Sequence, residues 1–175
     1  MKGILFFASG FNYIGKQLHI WRIMEIKIGN IESIELRQLL EEHHEDMLKH
    51  SPKKSVHALD LSSFVSADIT FWTLYINDEL AGCAALKKLN EKHAELKSMR
   101  TSPHYLRKGV ASTLLTHVLK MAKEQCFEKI SLETGTMKVF APAQKLYLAF
   151  GFEVCEPFSD YKEDSYSMFL TKTIN

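Results

Sequence analysis

The sequence predicts a mixed α/β domain of the α+β kind, with a mostly antiparallel central sheet, flanking helices and one β–α–β crossover near the middle. Three observations predict it. Three strand-like runs between Ile69 and Thr101 are separated by short polar turns, as in consecutive hairpins. The hydrophobic period then changes from two to that of a helix over Val110–Gln125 and returns to a short run at Lys129–Glu133. The chain has 175 residues, 46% apolar and 25% charged, which suits one domain with one sizeable core.

Taken in order, Met24–Ile28 reads as a short strand. Ile31–His50 reads as a helix with Leu36, Leu39, Leu40 and Met47 near one face. Ser51-Pro52 ends it, because the residue before proline is pushed out of helical geometry. Ser51–Ser66 is ambiguous between a loop and a second short helix around Leu59–Phe64. Ile69–Ile76 is a strand rich in β-branched and aromatic residues; Asn77-Asp78-Glu79 turns the chain, and Leu80–Leu89 returns as the hairpin partner. Asn90-Glu91-Lys92 makes the next turn and Ala94–Thr101 the next strand. After a loop with Pro103, the helix Val110–Gln125 carries Val110, Leu114, Leu115, Val118, Met121 and Ala122 at helical spacing. Lys129–Glu133 is a strand. Val139–Phe150 is a helix, with Pro142 tolerable only in its first turn and Gly151 as its stop. Phe152–Cys155 and Ser165–Lys172 close the chain as strands.

The formal net charge is +1, from 22 basic and 21 acidic residues, which argues against a nucleic-acid reader. No stretch reaches the roughly 18 apolar residues a membrane helix needs. Cys83, Cys126 and Cys155 form no CxxC pair, which argues against a zinc ribbon or redox motif and suits a reducing cytosol. Cys83 and Cys126 read as packing residues. Lys2 and the apolar run from Ile4 to Phe11 make a poor signal peptide, with one basic residue and no clear cleavage site. The expected organisation is an N-terminal extension over 1–23 and a single catalytic domain over 24–175, located in the cytoplasm.

The most informative segment is Ser98-Met99-Arg100-Thr101-Ser102-Pro103-His104-Tyr105-Leu106-Arg107-Lys108-Gly109-Val110-Ala111-Ser112. A strand runs into a loop with adjacent cations, then a glycine and a small residue at the head of an amphipathic helix. The first N–H groups of a helix have no internal partner and its dipole is positive there, so such a terminus binds phosphate. Gly109 and Ala111 remove bulk, Arg107 and Lys108 add charge, and Ser112 adds a hydroxyl. On its own the segment reads equally as a plain helix start behind a solvated basic loop. Neither GxxxxGK[ST] nor GxGxxG is present.

Arg107-Lys108-Gly109-Val110-Ala111, followed by Leu114-Leu115, resembles the pyrophosphate loop of GNAT acetyltransferases, [RQ]-x-x-G-x-[GA]. Ala143-Gln144-Lys145-Leu146-Tyr147-Leu148-Ala149-Phe150-Gly151-Phe152 is similar to that family's A-x-x-L-Y-x-x-x-G-F. The two motifs occur in the family's order, one strand apart, and the resemblance covers Met24 to Ile174. Ser55–Asp60, Leu132–Gly135 and Cys155–Phe158 resemble a bacterial subgroup of N-acetyltransferases with poorly defined acceptors. The first loop position, usually Arg or Gln, is Leu106 here.

The resemblance implies a GNAT-type fold with a βαβ core that binds acetyl-CoA as co-substrate, without a metal. It implies that Arg107, Lys108, Gly109, Val110, Ala111 and Ser112 hold the pyrophosphate. It also implies that Met99, Arg100 and Thr101 pair with the pantetheine arm, with an N–H of Met99 or Arg100 on the acetyl carbonyl. The acceptor would be a small-molecule or peptide amine, and the protein a monomer or homodimer. An alkylamine of pKa ~10.4 is almost wholly protonated at pH 7, a penalty of roughly 4–5 kcal/mol, so a base is needed. The leaving thiol, of pKa ~8.5, gains from an acid. Glu95 is the candidate base by resemblance, acting through water; its other reading is an ordinary charge on an alternating strand beside Lys97. Tyr147 is the candidate acid, and also fits a half-buried core tyrosine. Glu133 is a candidate amine ligand or half of an ion pair, and His57 an acceptor-site candidate. His43, His44 and His50 match no zinc spacing and read as helix-surface residues. The alternative function is a non-catalytic acyl-CoA-binding or sensing domain; a third is an interaction module built on the basic loop.

Overall fold

The computed structural model describes residues 4–6, 23–52 and 68–174. His57 and the helix expected near Leu59–Phe64 lie outside them. Eight strands form one sheet: β1 (Ile4–Phe6), β2 (Ile23–Ile28), β3 (Ile69–Ile76), β4 (Glu79–Lys88), β5 (His93–Thr101), β6 (Lys129–Gly135), β7 (Glu153–Val154) and β8 (Ser167–Thr173). Their order is β1-β2-β3-β4-β5-β6-β8-β7. Every neighbouring pair is antiparallel except β5 and β6, which are parallel. Among the described residues, three α-helices accompany the sheet: α1 (Ile34–His50), α2 (Val110–Glu124), which makes the β5–β6 crossover, and α3 (Ala141–Ala149).

Strand alternation divides the core between two faces. Trp72, Leu74, Ala84, Ala94, Leu96, Ile130 and Leu132 pack with Val110, Leu114, Leu115 and Val118 of α2 and with Tyr147 of α3. The intervening residues Phe71, Cys83 and Ala85 pack with Leu36, Leu39 and Leu40 of α1 on the opposite face. Fully burying each Val or Leu of the α2 stripe contributes about 1.5–3 kcal/mol, far more than helix propensity. Glu95 and Lys97 alternate with Ala94 and Leu96, so they belong to the α1 face, as do Ser131 and Glu133, which alternate with Ile130 and Leu132.

Within the described residues the expected elements are present, with boundaries moved by local chemistry. α1 begins at Ile34 rather than at residue 31, because the Ser33 hydroxyl accepts from Leu36 N at 3.3 Å and caps it. The segment expected as one helix from Val139 begins as a 3₁₀ turn, Lys138–Phe140, and α3 starts at Ala141 with Pro142 in its first turn. Phe140 lies over Gly135, where an added Cβ would meet its ring at 2.3 Å. Cys83 is buried as expected, but Cys126 is exposed, in a left-handed conformation (φ 63°) just after α2.

Candidate active site

Parallel pairing between β5 and β6 is confined to His93–Lys129, Ala94–Ile130 and Glu95–Ser131. Beyond Glu95, β5 stays with β4 while β6 stays with β8 as far as Gly135–Ser167, so the two strands part into a V. A bulge sits on the β5 side: the register moves from Cys83 to Ala85 on β4 while it moves from Arg100 to Lys97 on β5. Ser98 within it is left-handed (φ 50°), and the Cys83 thiol donates to the Ser98 carbonyl at 3.4 Å. Of the residues expected to receive an extended ligand, Met99 lies in the bulge and Arg100 and Thr101 follow it, on an edge that β6 does not occupy.

The same strand leads into the cradle at the head of α2. Gly109 caps the helix with φ 85° and, among the described residues, no side chain bonds the first helical N–H groups. Arg107 is left-handed too (φ 60°). The loop at 106–109 is exposed, while Val110 is buried and Ala111 and Ser112 are half-buried. Leu106 is 58% exposed, so the usual Arg or Gln side chain is absent from the surface rather than replaced in the core. Lys108 folds back, donating to the His104 carbonyl at 2.8 Å with its ammonium over the Tyr105 ring. Ser112 donates to the Gly109 carbonyl at 2.8 Å.

The predicted chemical residues converge in the V. Glu95, Glu133 and Tyr147 line one cleft of about 100 Å³ together with His43, Met99 and Tyr161. Tyr147 is buried, its ring edge-on to Phe152 at 5.8 Å; burial, then the nearby Glu133, pushes its phenol far above the ordinary value, so it keeps its proton. Glu133 accepts from the Ser167 hydroxyl at 2.7 Å, and burial raises its carboxyl above the usual range. Glu95 is 3% exposed and doubly held: its Oε1 accepts from Lys97 Nζ at 2.9 Å and from the Tyr161 hydroxyl at 2.6 Å, while Lys97 also donates to Tyr161 at 2.8 Å. Burial, then Glu95, raises the Tyr161 phenol. These three side chains also wall a larger bowl of about 420 Å³ under the 159–164 loop, which opens from the α1 face.

Four of these residues were not named individually as site candidates from the sequence: His43, Lys97, Tyr161 and Ser167. Tyr161 and Ser167 come from the chain's far end, and no spacing rule links them to Glu95 or Glu133. His43 carried a signal. Leu36, Leu39, Leu40, His43 and Met47 follow one helical stripe, so the expectation of a surface histidine is corrected: it lines the cleft. Its turn of α1 is tied to β5 by an ion pair between Asp46 and Arg100. Burial, then the Arg100 charge, lowers the imidazole from 6.5 to about 4. An unfolded chain takes up this proton below pH 6.5 and the folded one does not until about 4, so the stability is fully present above 6.5 and falls as pH drops. The loss should approach roughly 3 kcal/mol once pH lies below both values. Urea midpoints measured from pH 7 to 4 should fall, and less steeply in His43→Leu; equal slopes would contradict a half-buried, neutral His43.

The fold is a mixed α/β sheet that splits between β5 and β6 beside the N-terminus of α2. The chain belongs to the GNAT family of acetyltransferases, whose family model, "Acetyltransferase (GNAT) family", matches residues 34–152. It is 49% identical over 151 residues to the uncharacterized N-acetyltransferase YsnE of Bacillus subtilis, covering 86% of this chain and 100% of the relative. It is 46% identical to the uncharacterized N-acetyltransferase YedL of Escherichia coli over 149 residues, 85% of this chain and 94% of the relative. Its fold matches a GNAT family acetyltransferase from Elizabethkingia anophelis solved with acetyl-CoA bound, at TM-score 0.62 and 19% identity, covering 86% of this chain and 97% of that one. Among the described residues no helix is long and apolar enough to cross a membrane, and no cluster of three metal-ligating side chains occurs.

Proposed function

We propose that this enzyme transfers an acetyl group from acetyl-CoA directly to a primary amine, without a covalent enzyme intermediate. The observation that carries the reading is the meeting of an uncapped α2 terminus, an open β5–β6 edge and a cleft holding Glu95, Glu133 and Tyr147. The pyrophosphate sits on the N–H groups of Val110, Ala111 and Ser112 around Gly109, with Arg107 and Lys108 adding charge. Pantetheine lies along Met99–Thr101 as an added strand, and the N–H of Met99 or Arg100 holds the acetyl carbonyl oxygen. Glu133 receives the acceptor as an ammonium, and its proton passes through water to Glu95. The amine nitrogen then attacks the thioester carbon, the carbon–sulfur bond breaks as the Tyr147 hydroxyl hydrogen-bonds the departing sulfur, and the second proton of the nitrogen passes by way of that hydroxyl to the sulfur, so coenzyme A leaves as the thiol and Tyr147 keeps its proton. His57 contributes to acceptor recognition. The domain spans 24–175, acts in the cytoplasm as a monomer or homodimer, and uses no metal, nucleic acid or membrane.

Calorimetry with acetyl-CoA is expected to show micromolar binding, and thiol release with a panel of amines should show turnover. No acetyl-CoA binding sinks the proposal. Binding without turnover on any amine would move the protein to a sensing role.

A further inference from the structure

One polar atom of the cleft has nothing to do. Among the described residues, His43 Nδ1 is buried without a hydrogen-bond partner. A buried polar nitrogen left unpaired is destabilising, and in a native site it calls for a ligand. Its surroundings say which kind. The lowered basicity of the ring keeps it neutral at physiological pH, so with the proton on Nε2 the Nδ1 is a lone-pair acceptor. The carboxylate of Glu133 lies in the same cleft, with Ser167 bonded to its Oε1. The Asp46–Arg100 ion pair fixes the turn of α1 that carries the imidazole. The cleft, of about 100 Å³, has room for a head group, and the adjoining bowl has room for the rest of an acceptor.

We propose that His43 Nδ1 and the Glu133 carboxylate together hold the two N–H groups of a neutral primary amine, making His43 the residue that selects primary over secondary amines. The inference rests on the acetyl-transfer reading above. A neutral primary amine has two N–H groups and one lone pair. With both N–H groups bound, the lone pair is left for the thioester carbon. A secondary amine has one N–H, so one buried acceptor stays unpaired and an alkyl group meets the imidazole. Sites built to receive a hydrogen bond reject ligands that lack it, here by about tenfold or more.

The test uses the full chain with ¹⁵N-labelled histidine. In protein saturated with CoA, n-butylamine should move the His43 Nδ1 resonance, and tetramethylammonium, which has no N–H at any pH, should not. Thiol release should favour n-butylamine over N-methylbutylamine by about tenfold or more. His43→Leu should lose that preference while keeping wild-type affinity for acetyl-CoA. His43→Asn, whose amide oxygen sits near the Nδ1 position, should retain it. An unmoved His43 signal, or wild-type selectivity in His43→Leu, overturns the inference and leaves the transferase intact. Wild-type protein that fails to bind acetyl-CoA overturns the transferase reading, and the role of His43 with it.

Discussion

Gly109→Glu should abolish detectable acetyl-CoA binding while leaving a folded protein. Gly109 has φ 85°, where a side chain costs about 1–2 kcal/mol of backbone strain. An added Cβ would meet no heavy atom closer than Ser112 Oγ at 3.9 Å, so the free protein has space for it. A carboxylate at a helix N-terminus even interacts favourably with the dipole, which offsets part of the strain. In the complex that same carboxylate lies where the pyrophosphate must sit. Steric exclusion and like-charge repulsion add, and the affinity should fall by at least about a hundredfold, or roughly 3 kcal/mol. Gly109→Ala shares the strain but not the charge, and should lose far less. Calorimetry at low and high salt separates the contributions, since only the charge effect is screened. Wild-type affinity in Gly109→Glu would move the phosphate site away from α2.

The sequence exposed the parts of this molecule that are local. The β-branched and aromatic run of Ile69–Ile76 and the stripe of α2 each need only one segment, and both are largely buried. The pyrophosphate turn was legible because its glycine, small residues and cations are contiguous. Tyr147 and Glu95 became candidates through motif position, and the fold brings them to one cleft. The rest needed three dimensions. The pairing of Glu95 with Tyr161 joins residues 66 apart in sequence, and that of Glu133 with Ser167 joins residues 34 apart. Hydrophobic periodicity is blind to such pairs because each member looks like a solvated polar residue in its own segment. His43 shows the opposite failure. Its helical phase pointed inward, but its polarity suggested the surface, and the phase was the better guide because packing, not residue type, decides which face of α1 is buried.

Tyr147→Phe should lower kcat by about 10²–10³-fold with little change in acetyl-CoA affinity or stability. The ring stays in place against Phe152, so only the hydroxyl is lost. Burial and Glu133 hold the phenol protonated well past neutral pH, and a group that never releases its proton to solvent is available at each turnover. The thiolate it serves has a conjugate pKa of ~8.5, below that of the phenol, so full transfer is uphill. The hydroxyl therefore acts chiefly by hydrogen bonding to sulfur as charge develops there, which is transition-state stabilisation and appears in kcat. That assignment separates Tyr147 from Glu133, whose charge should govern acceptor binding: in Glu133→Gln the acceptor KM should rise more than kcat falls. Below the raised pKa of Glu133 its carboxyl is neutral and a poor ammonium ligand, so kcat/KM should drop on the acid side, and Glu133→Gln should remove that limb. Tyr147→Phe should keep the acid limb. A Tyr147→Phe enzyme with wild-type kcat would return the tyrosine to the core-packing role its burial also fits.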